Sequence, residues 1–388
     1  MPYGGTVLAS RNISLEAIAD KPGLRRFIAL TRDLYAGDPS WVQPLTFERL
    51  DHLDQAKNPF MRAIEVRYWL ARRDGTPVGR VSAQVNRRHL ERHQDGTGHF
   101  GFLEAVDDPR IFAVLMDAAE VWLRERGMAR IAGPFNLSIN DESGLLVEGF
   151  DTPPSMMMGH ALPYYGQRLE ALGYAKAKDL IAYDVDATVP WPEATQRLIA
   201  RVERMPGLRI RPLDMRRYRD EIRTIVRIFN DAWADNWGFI PFGEDEAAYL
   251  AKSIRPLVDA DSFAIGELDG EPVGMTVTLP NLNEAIAGLD GRLLPFGWLR
   301  LFWRLKVKGL RSGRMPLMGI AKRLQGTTKG AAIALGMIER IRRHYNKLGY
   351  RHGELSWILE DNRSVRAVIE AIAAVPYKRY RVYEKALG

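Results

Sequence analysis

The chain has 388 residues, 46% of them hydrophobic and 27% charged, which predicts two domains, each large enough to bury its own core. There is no cysteine, so disulfides, thiolate metal sites and a cysteine nucleophile are excluded. The net charge of +7 is localised: Gly291 to Ile338 holds ten Lys or Arg and no Asp or Glu, leaving 45 basic against 48 acidic residues elsewhere. One anion-binding surface is expected, not a generally basic protein.

The opening MPYGGTVLASRNIS lacks a basic stretch followed by an apolar one, and no run of about 18 apolar residues occurs. Neither a signal peptide nor a transmembrane helix is expected. In chain order, apolar spacing predicts a helix over 21–37 and a hairpin over 66–87 around Asp74 and Gly75. A strand at 99–106 follows, then a helix opened by Asp108 and Pro109 and stopped at Gly127. A strand near 129–132, a helix near 163–172 and a strand at 179–185 complete the first half. Pro190, Pro192, Pro206 and Gly207 mark a linker over 187–207.

The second half repeats this order. It runs from a strand at 208–213 through helices at 217–234 and 244–258 to a hairpin over 262–279 around Asp269 and Gly270. A strand at 315–321, a helix at 330–347, a strand at 352–359, a helix at 362–374 and a last strand at 380–386 follow. The expected fold class is α/β (α+β), with two tandem domains, 1–186 and 208–388, each a mixed sheet flanked by helices. Residues 287–314 are an insert where a hairpin turn would suffice.

The stretch MGIAKRLQGTTKGAAIALGMIERI, together with this element order, resembles the GNAT superfamily of acyl-CoA N-acyltransferases. That family carries a phosphate loop, Gln/Arg-x-x-Gly-x-Gly/Ala, between a strand and a helix; here it matches Arg323 to Thr328, with Thr328 where the family has Gly or Ala. Gly330 follows and supplies flexibility. The resemblance implies acyl-CoA as co-substrate, held by Gly319, Ile320, Ala321, Arg323, Gln325, Gly326, Thr327, Thr328, Lys329, Gly330 and Asn362. The physics agrees: a helix N-terminus presents unpaired N–H groups to a pyrophosphate, and glycine permits close approach. The family's tyrosine, seven residues beyond the position of Asn362, is Ile369 here, so the acid for the leaving thiolate is unassigned. The first half resembles the same fold but FGFLEAVDDPRIF has no glycine loop, so it reads as a degenerate copy on the acceptor side.

Two further stretches, 133–158 and 282–307, resemble a group of two-domain bacterial GNAT proteins that includes the bacterial ceramide synthases. That likeness implies N-acylation of a sphingoid base, 3-oxosphinganine, by a long-chain acyl thioester; acyl carrier protein is a possible alternative donor. The competing readings are a GNAT enzyme for a small amine or peptide, and a non-catalytic membrane-associated protein on the same fold.

Direct attack of an amine on a thioester needs a base. Alternation along GELSWILE places Glu354, Ser356, Ile358 and Glu360 on one strand face, making Glu354 the first candidate base and Glu360 the second. A salt-bridged role for both competes. An oxyanion donor is expected from the backbone near Gly319 to Ala321. Asn136, Asn140, Asp141, Glu142 and Tyr164 are candidate acceptor-site residues, against ordinary loop chemistry for the first four. Met156, Met157 and Met158 fit either a lipid chain or plain core.

In the insert, Leu294, Trp298, Leu301, Phe302 and Leu305 share one helical face, widened by Leu299 and Trp303, while Arg300, Arg304 and Lys308 line another. This pattern predicts contact of Trp298, Phe302, Trp303, Arg300 and Arg304 with an anionic membrane surface. The expected location is cytoplasmic and peripheral on the inner membrane. His89 and His93 have no third ligand, so no metal site is expected, and no nucleic-acid module is evident.

Overall fold

The computed structural model describes residues 12–255 and 258–388. The first half begins with β1 (Ile13–Ile18), α1 (Lys21–Leu34) and α2 (Thr46–His52), then the hairpin β2 (Ile64–Arg73) and β3 (Thr76–Asn86). Asp74 and Gly75 both take positive φ, the conformation a tight hairpin turn requires. α3 (Arg87–His93) and β4 (Thr97–Ala105) lead into α4 (Pro109–Arg124), whose first turn is capped by Asp108 accepting from the Arg110 amide. β5 (Arg130–Gly133), β6 (Leu145–Glu148), α5 (Tyr164–Ala171) and β7 (Ala175–Asp186) complete the half.

The second half follows the same plan. The stretch read as linker carries α6 (Glu193–Val202). Next come β8 (Leu208–Arg211), α7 (Tyr218–Ala232), α8 (Glu244–Ile254), and the hairpin β9 (Phe263–Leu268) and β10 (Glu271–Pro280). The expected C-terminal end of α8 at 258 runs across 256 and 257, which lie outside the described residues. α9 (Leu282–Ile286) precedes the insert and α10 (Gly297–Trp303) lies within it. β11 (Ser312–Ile320), α11 (Thr328–Lys347), β12 (His352–Leu359), α12 (Arg363–Glu370) and β13 (Val375–Ala386) end the chain.

All strands join one sheet in the order β1-β2-β3-β4-β5-β13-β7-β12-β11-β10-β9-β8, with β6 paired to β13. The two halves exchange their last strands. β13 lies between β5 and β7, while β7 pairs on its other edge with β12. Each half's sheet is thus completed by the other's chain, a long-range pairing that the order of elements along the sequence does not reveal. Around the second half's strands, α7 and α8 pack on one face through Ile222, Ile225, Phe229 and Met275. α6, α11 and α12 pack on the other through Ile199, Ile333, Met337 and Ile369.

Candidate active site

β11 and β12 are parallel but pair only over Ser312–Met315 and His352–Leu355. Beyond those residues they splay, and the opening between them is lined by Met315, Pro316, Met318, Trp357, Ile358 and Val365, with Ser356 and Asn362 among its few polar residues. The register of β10 on β11 shifts between Val277 and Leu279, and that of β7 on β12 shifts between Leu355 and Ile358. Two irregularities facing each other force the strands apart and re-aim the side chains at the apex.

The free edge of β11 is fixed by alternation. The Ala321 amide donates to the Val273 carbonyl, so Gly319 and Leu317 also bond toward β10. Met318 and Ile320 therefore present their backbone groups to the opening, which narrows the expected Gly319–Ala321 donor to Ile320 and adds Met318. Two side chains occupy the acceptors on this edge. Trp233 Nε1 donates to the Met318 carbonyl at 3.3 Å, and Gln325 Nε2 to that of Ile320 at 3.0 Å.

The phosphate-loop residues stand at the wide end of this wedge, before α11. Thr327 caps the helix, its hydroxyl accepting from the Gly330 amide at 3.0 Å. The amides of Thr328 and Lys329 lie in the first turn, where no intrahelical acceptor exists. Gly326 has φ +69°, and a Cβ at Gly330 would overlap the Leu324 carbonyl oxygen. Close approach thus falls on Gly330, so Thr328 can replace the family's small residue without loss of the turn. Arg323 pairs with Glu271 and Lys322 with Asp235 at the surface, while Lys329 is exposed. Asn362 caps α12 by accepting from the Val365 amide and also lines the wedge.

At the narrow end, Glu354 is 4% exposed. Its Oε1 accepts from the Ser356 hydroxyl and its Oε2 from the Tyr377 hydroxyl. Arg314, equally buried, sends Nε to Ser356 Oγ at 2.8 Å, Nη2 to the Ser356 carbonyl at 3.1 Å and Nη1 to the Met156 carbonyl at 2.9 Å. Arg314 Nε lies 3.5 Å from Glu354 Oε1. Burial lowers the Arg314 guanidinium below its ordinary value, and burial, with the neighbouring Glu354 carboxylate, pushes the Tyr377 phenol up. Lys378 donates to the Gly149 and Thr152 carbonyls at 2.9 and 2.6 Å, and burial brings its ammonium down to about 8.

Glu360 is elsewhere. It lies past the end of β12, half-buried, accepting from Lys176 Nζ at 2.7 Å and the Asp179 amide at 3.1 Å. The expected alternation fails between them: the irregularity at Ser356–Trp357 keeps Ser356 beside Glu354 but turns Ile358 toward the α11–α12 core.

The first half covers this cluster. Asn281 Oδ1 accepts from the Met156 amide and Asn283 Nδ2 donates to the Pro154 carbonyl. With Lys378 and Arg314, these side chains pin the strap 149–158 over Glu354. Of its three methionines, Met158 is core, Met156 packs beside α7 and Met157 is exposed.

The polar loop at 136–142 forms a second, half-buried cluster. Asn136 donates to Glu142 at 2.6 Å and accepts from the Phe102 amide at 2.8 Å; Arg49 pairs with Glu142. Asn140 reaches across the halves to the Ile240 carbonyl at 3.1 Å. Burial raises the Asp141 carboxyl; for Glu142, Arg49 more than offsets burial and holds it below the ordinary range. Tyr164 is not beside these groups: its hydroxyl donates to the Ala105 carbonyl, tying α5 to β4.

Arg300 and Arg304 also have partners within the protein. Arg304 donates to the carbonyls of Ala285 and Ala287 at 2.9 and 2.6 Å, and Arg300 to that of Gly288 at 3.2 Å. Both fasten α10 to the C-terminal end of α9, because uncapped helix carbonyls attract guanidinium groups. The aromatics are the free face: Phe296, Trp298, Phe302 and Trp303 are 50–73% exposed. Sequence reasoning did not find Arg314, Tyr377 or Trp233 as site residues; Arg314 lay inside a basic run and Tyr377 on a strand whose partner belongs to the other half.

This chain is 48% identical over its full length to a bacterial ceramide synthase of Caulobacter vibrioides, with all of both chains covered. It is 45% identical to the protein YghO of Escherichia coli over 95% of this chain and 94% of that one. The chain belongs to the bacterial ceramide synthase family. It is an N-acyltransferase by that membership. Solved structures agree on the fold: a tandem GNAT protein from the clavulanic acid pathway matches with TM-score 0.56 at 12% identity, covering 97% of this chain and 99% of that one. A GCN5-related N-acetyltransferase of Sphaerobacter thermophilus matches with TM-score 0.54 at 14% identity over 96% of each chain. No family model matches the sequence. No helix among the described residues is long and apolar enough to cross a membrane.

Proposed function

We propose that this family member transfers a long-chain acyl group from coenzyme A to the amine of a sphingoid base, 3-oxosphinganine being the expected acceptor. The observation that carries this reading is the wedge itself, with a helix N-terminus at its open end and a buried carboxylate at its apex. The pyrophosphate would take the Thr328 and Lys329 amides, where the helix dipole favours an anion. The pantetheine arm would follow the free edge of β11, and the Met318 and Ile320 amides would donate to the thioester oxygen as it becomes negative.

The amine nitrogen attacks the thioester carbon, the C–S bond breaks and the thiolate leaves. The nitrogen's surplus proton passes to Ser356 Oγ while the Ser356 proton passes to Glu354 Oε1. Ser356 lines the wedge and already donates to Glu354, so the relay needs no rearrangement of those two groups. Arg314 holds Ser356 by hydroxyl and carbonyl, fixing the alignment that proximity catalysis needs.

The exposed aromatics of α10 are proposed to enter an anionic membrane surface, where a lipid amine resides; each buried ring contributes about 1.5–3 kcal/mol. Replacing Trp298, Phe302 and Trp303 by Ala is expected to abolish cosedimentation with phosphatidylglycerol vesicles. Undiminished cosedimentation would contradict that role.

The acceptor is tested by product mass spectrometry, offering 3-oxosphinganine and a small soluble amine in parallel with acyl-CoAs from acetyl to C18. N-acylated sphingoid product with long donors is expected. Product only from the small amine would replace this reading with that of a soluble-amine acetyltransferase.

A further inference from the structure

The wedge is closed at its apex, where Ser312–Met315 pair with His352–Leu355. An acyl chain on a thioester held beside Met318 cannot continue between the strands and must leave the sheet through one face. On the α11–α12 side the opening is floored by Met315, Leu355 and Ile369, all buried from solvent. On the opposite face stand two indoles, Trp233 just past the end of α7 and Trp357 just past the irregularity in β12. Their ring centroids are 5.9 Å apart with planes at 53°. Both are partly exposed, both line the opening, and Phe229 backs Trp233 at 4.7 Å. Met156 and Leu317 border the same α7 cluster, so the surface beyond the indoles is apolar.

We propose that Trp233 and Trp357 select the acyl donor, the first methylenes of a long chain passing between their two rings. This rests on the donor site described under the proposed function. A polymethylene chain in van der Waals contact with a ring on each side needs roughly 7–8 Å between them. The observed 5.9 Å means that one ring must turn aside. Trp233 is the one free to do so: it lies past the last residue of α7, and the indole bond that holds it, 3.3 Å to Met318, is long for a hydrogen bond. Turning it also uncovers the Met318 carbonyl for the donor. An acetyl group gains nothing from the opened gap, whereas a long chain fills it, so the pair favours long donors.

The test is calorimetric binding of acetyl-CoA and lauroyl-CoA to the full chain without amine, which separates donor selection from turnover. The wild type is expected to bind lauroyl-CoA about tenfold or more tightly than acetyl-CoA. Trp233→Ala and Trp357→Ala should each reduce that preference to about twofold, and Trp233→Phe, which keeps a ring and loses the N–H, should retain most of it. Should either Ala variant fail to fold by circular dichroism, Trp357→Leu takes its place, with the same collapse expected. An undiminished preference in the Ala or Leu variants, or equal affinities in the wild type, overturns the inference alone. Absence of binding by any thioester overturns the donor site and the inference together.

Discussion

Glu354 shows how burial and partners combine at a single residue. Its two carboxylate oxygens each accept from a hydroxyl, and its third neighbour is a guanidinium, so nothing around it is free to rotate into another arrangement. His99 is the opposite case. Its ring sits 4.6 Å from His89 and 5.1 Å from Phe135, with Nδ1 unpartnered. Burial pulls its imidazole down to about 3; His89 and His93 oppose its charge and Asp95 favours it. The unfolded chain binds this proton near 6.5 and the folded chain does not, so stability is fully present above that pH and falls as pH drops from 6.5 toward 3. The cost reaches about 2 kcal/mol at pH 5. Thermal melts of His99→Leu between pH 7 and 4.5 are expected to show a shallower loss than the wild type. Identical slopes would contradict a buried neutral His99.

At the scale of elements, the wedge and the loop before α11 make the proposed donor site. Gly330 has no room for a side chain, since a Cβ would strike the Leu324 carbonyl on the inner side of the loop. Gly330→Ala is expected to displace that loop and weaken coenzyme A binding about tenfold or more by calorimetry, with little change in the melting temperature. Unaltered affinity would place the pyrophosphate elsewhere. Most elements were legible because their signals are local: both Asp-Gly turns, the Asp108 cap and the periodic face of α11 are written within a few residues. α6 was hidden by the prolines flanking it, and the short strands β1 and β6 by their length. Glu354 was legible as a candidate because alternation holds as far as Ser356. Its partners were not, because Arg314 and Tyr377 come from β11 and β13 and meet it only through the sheet. The insert's aromatic face was legible as a helical stripe, but periodicity does not show that Arg300 and Arg304 also donate to the carbonyls at the end of α9.

Across the whole molecule, strand exchange joins what the sequence presents as two separate units. β13 lies between β5 and β7, and β7 between β13 and β12, so neither half has a complete sheet alone. Thermal unfolding of the full chain is therefore expected to be a single transition by both calorimetry and circular dichroism. Removing residues 375–388 should abolish it, not merely truncate the second half. Two separated transitions would contradict the exchange. The same exchange brings strap 149–158 and Tyr377 onto Glu354, so this cluster exists only when both halves are joined. The most direct test of this account compares the wild type with Glu354→Gln, following free thiol release and N-acyl product together by mass spectrometry with 3-oxosphinganine and a long-chain acyl-CoA. The account predicts product and thiol in equal amounts for the wild type, and a turnover about 10²–10⁴-fold lower for Glu354→Gln with donor binding intact. Turnover of Glu354→Gln within a fewfold of the wild type would contradict it.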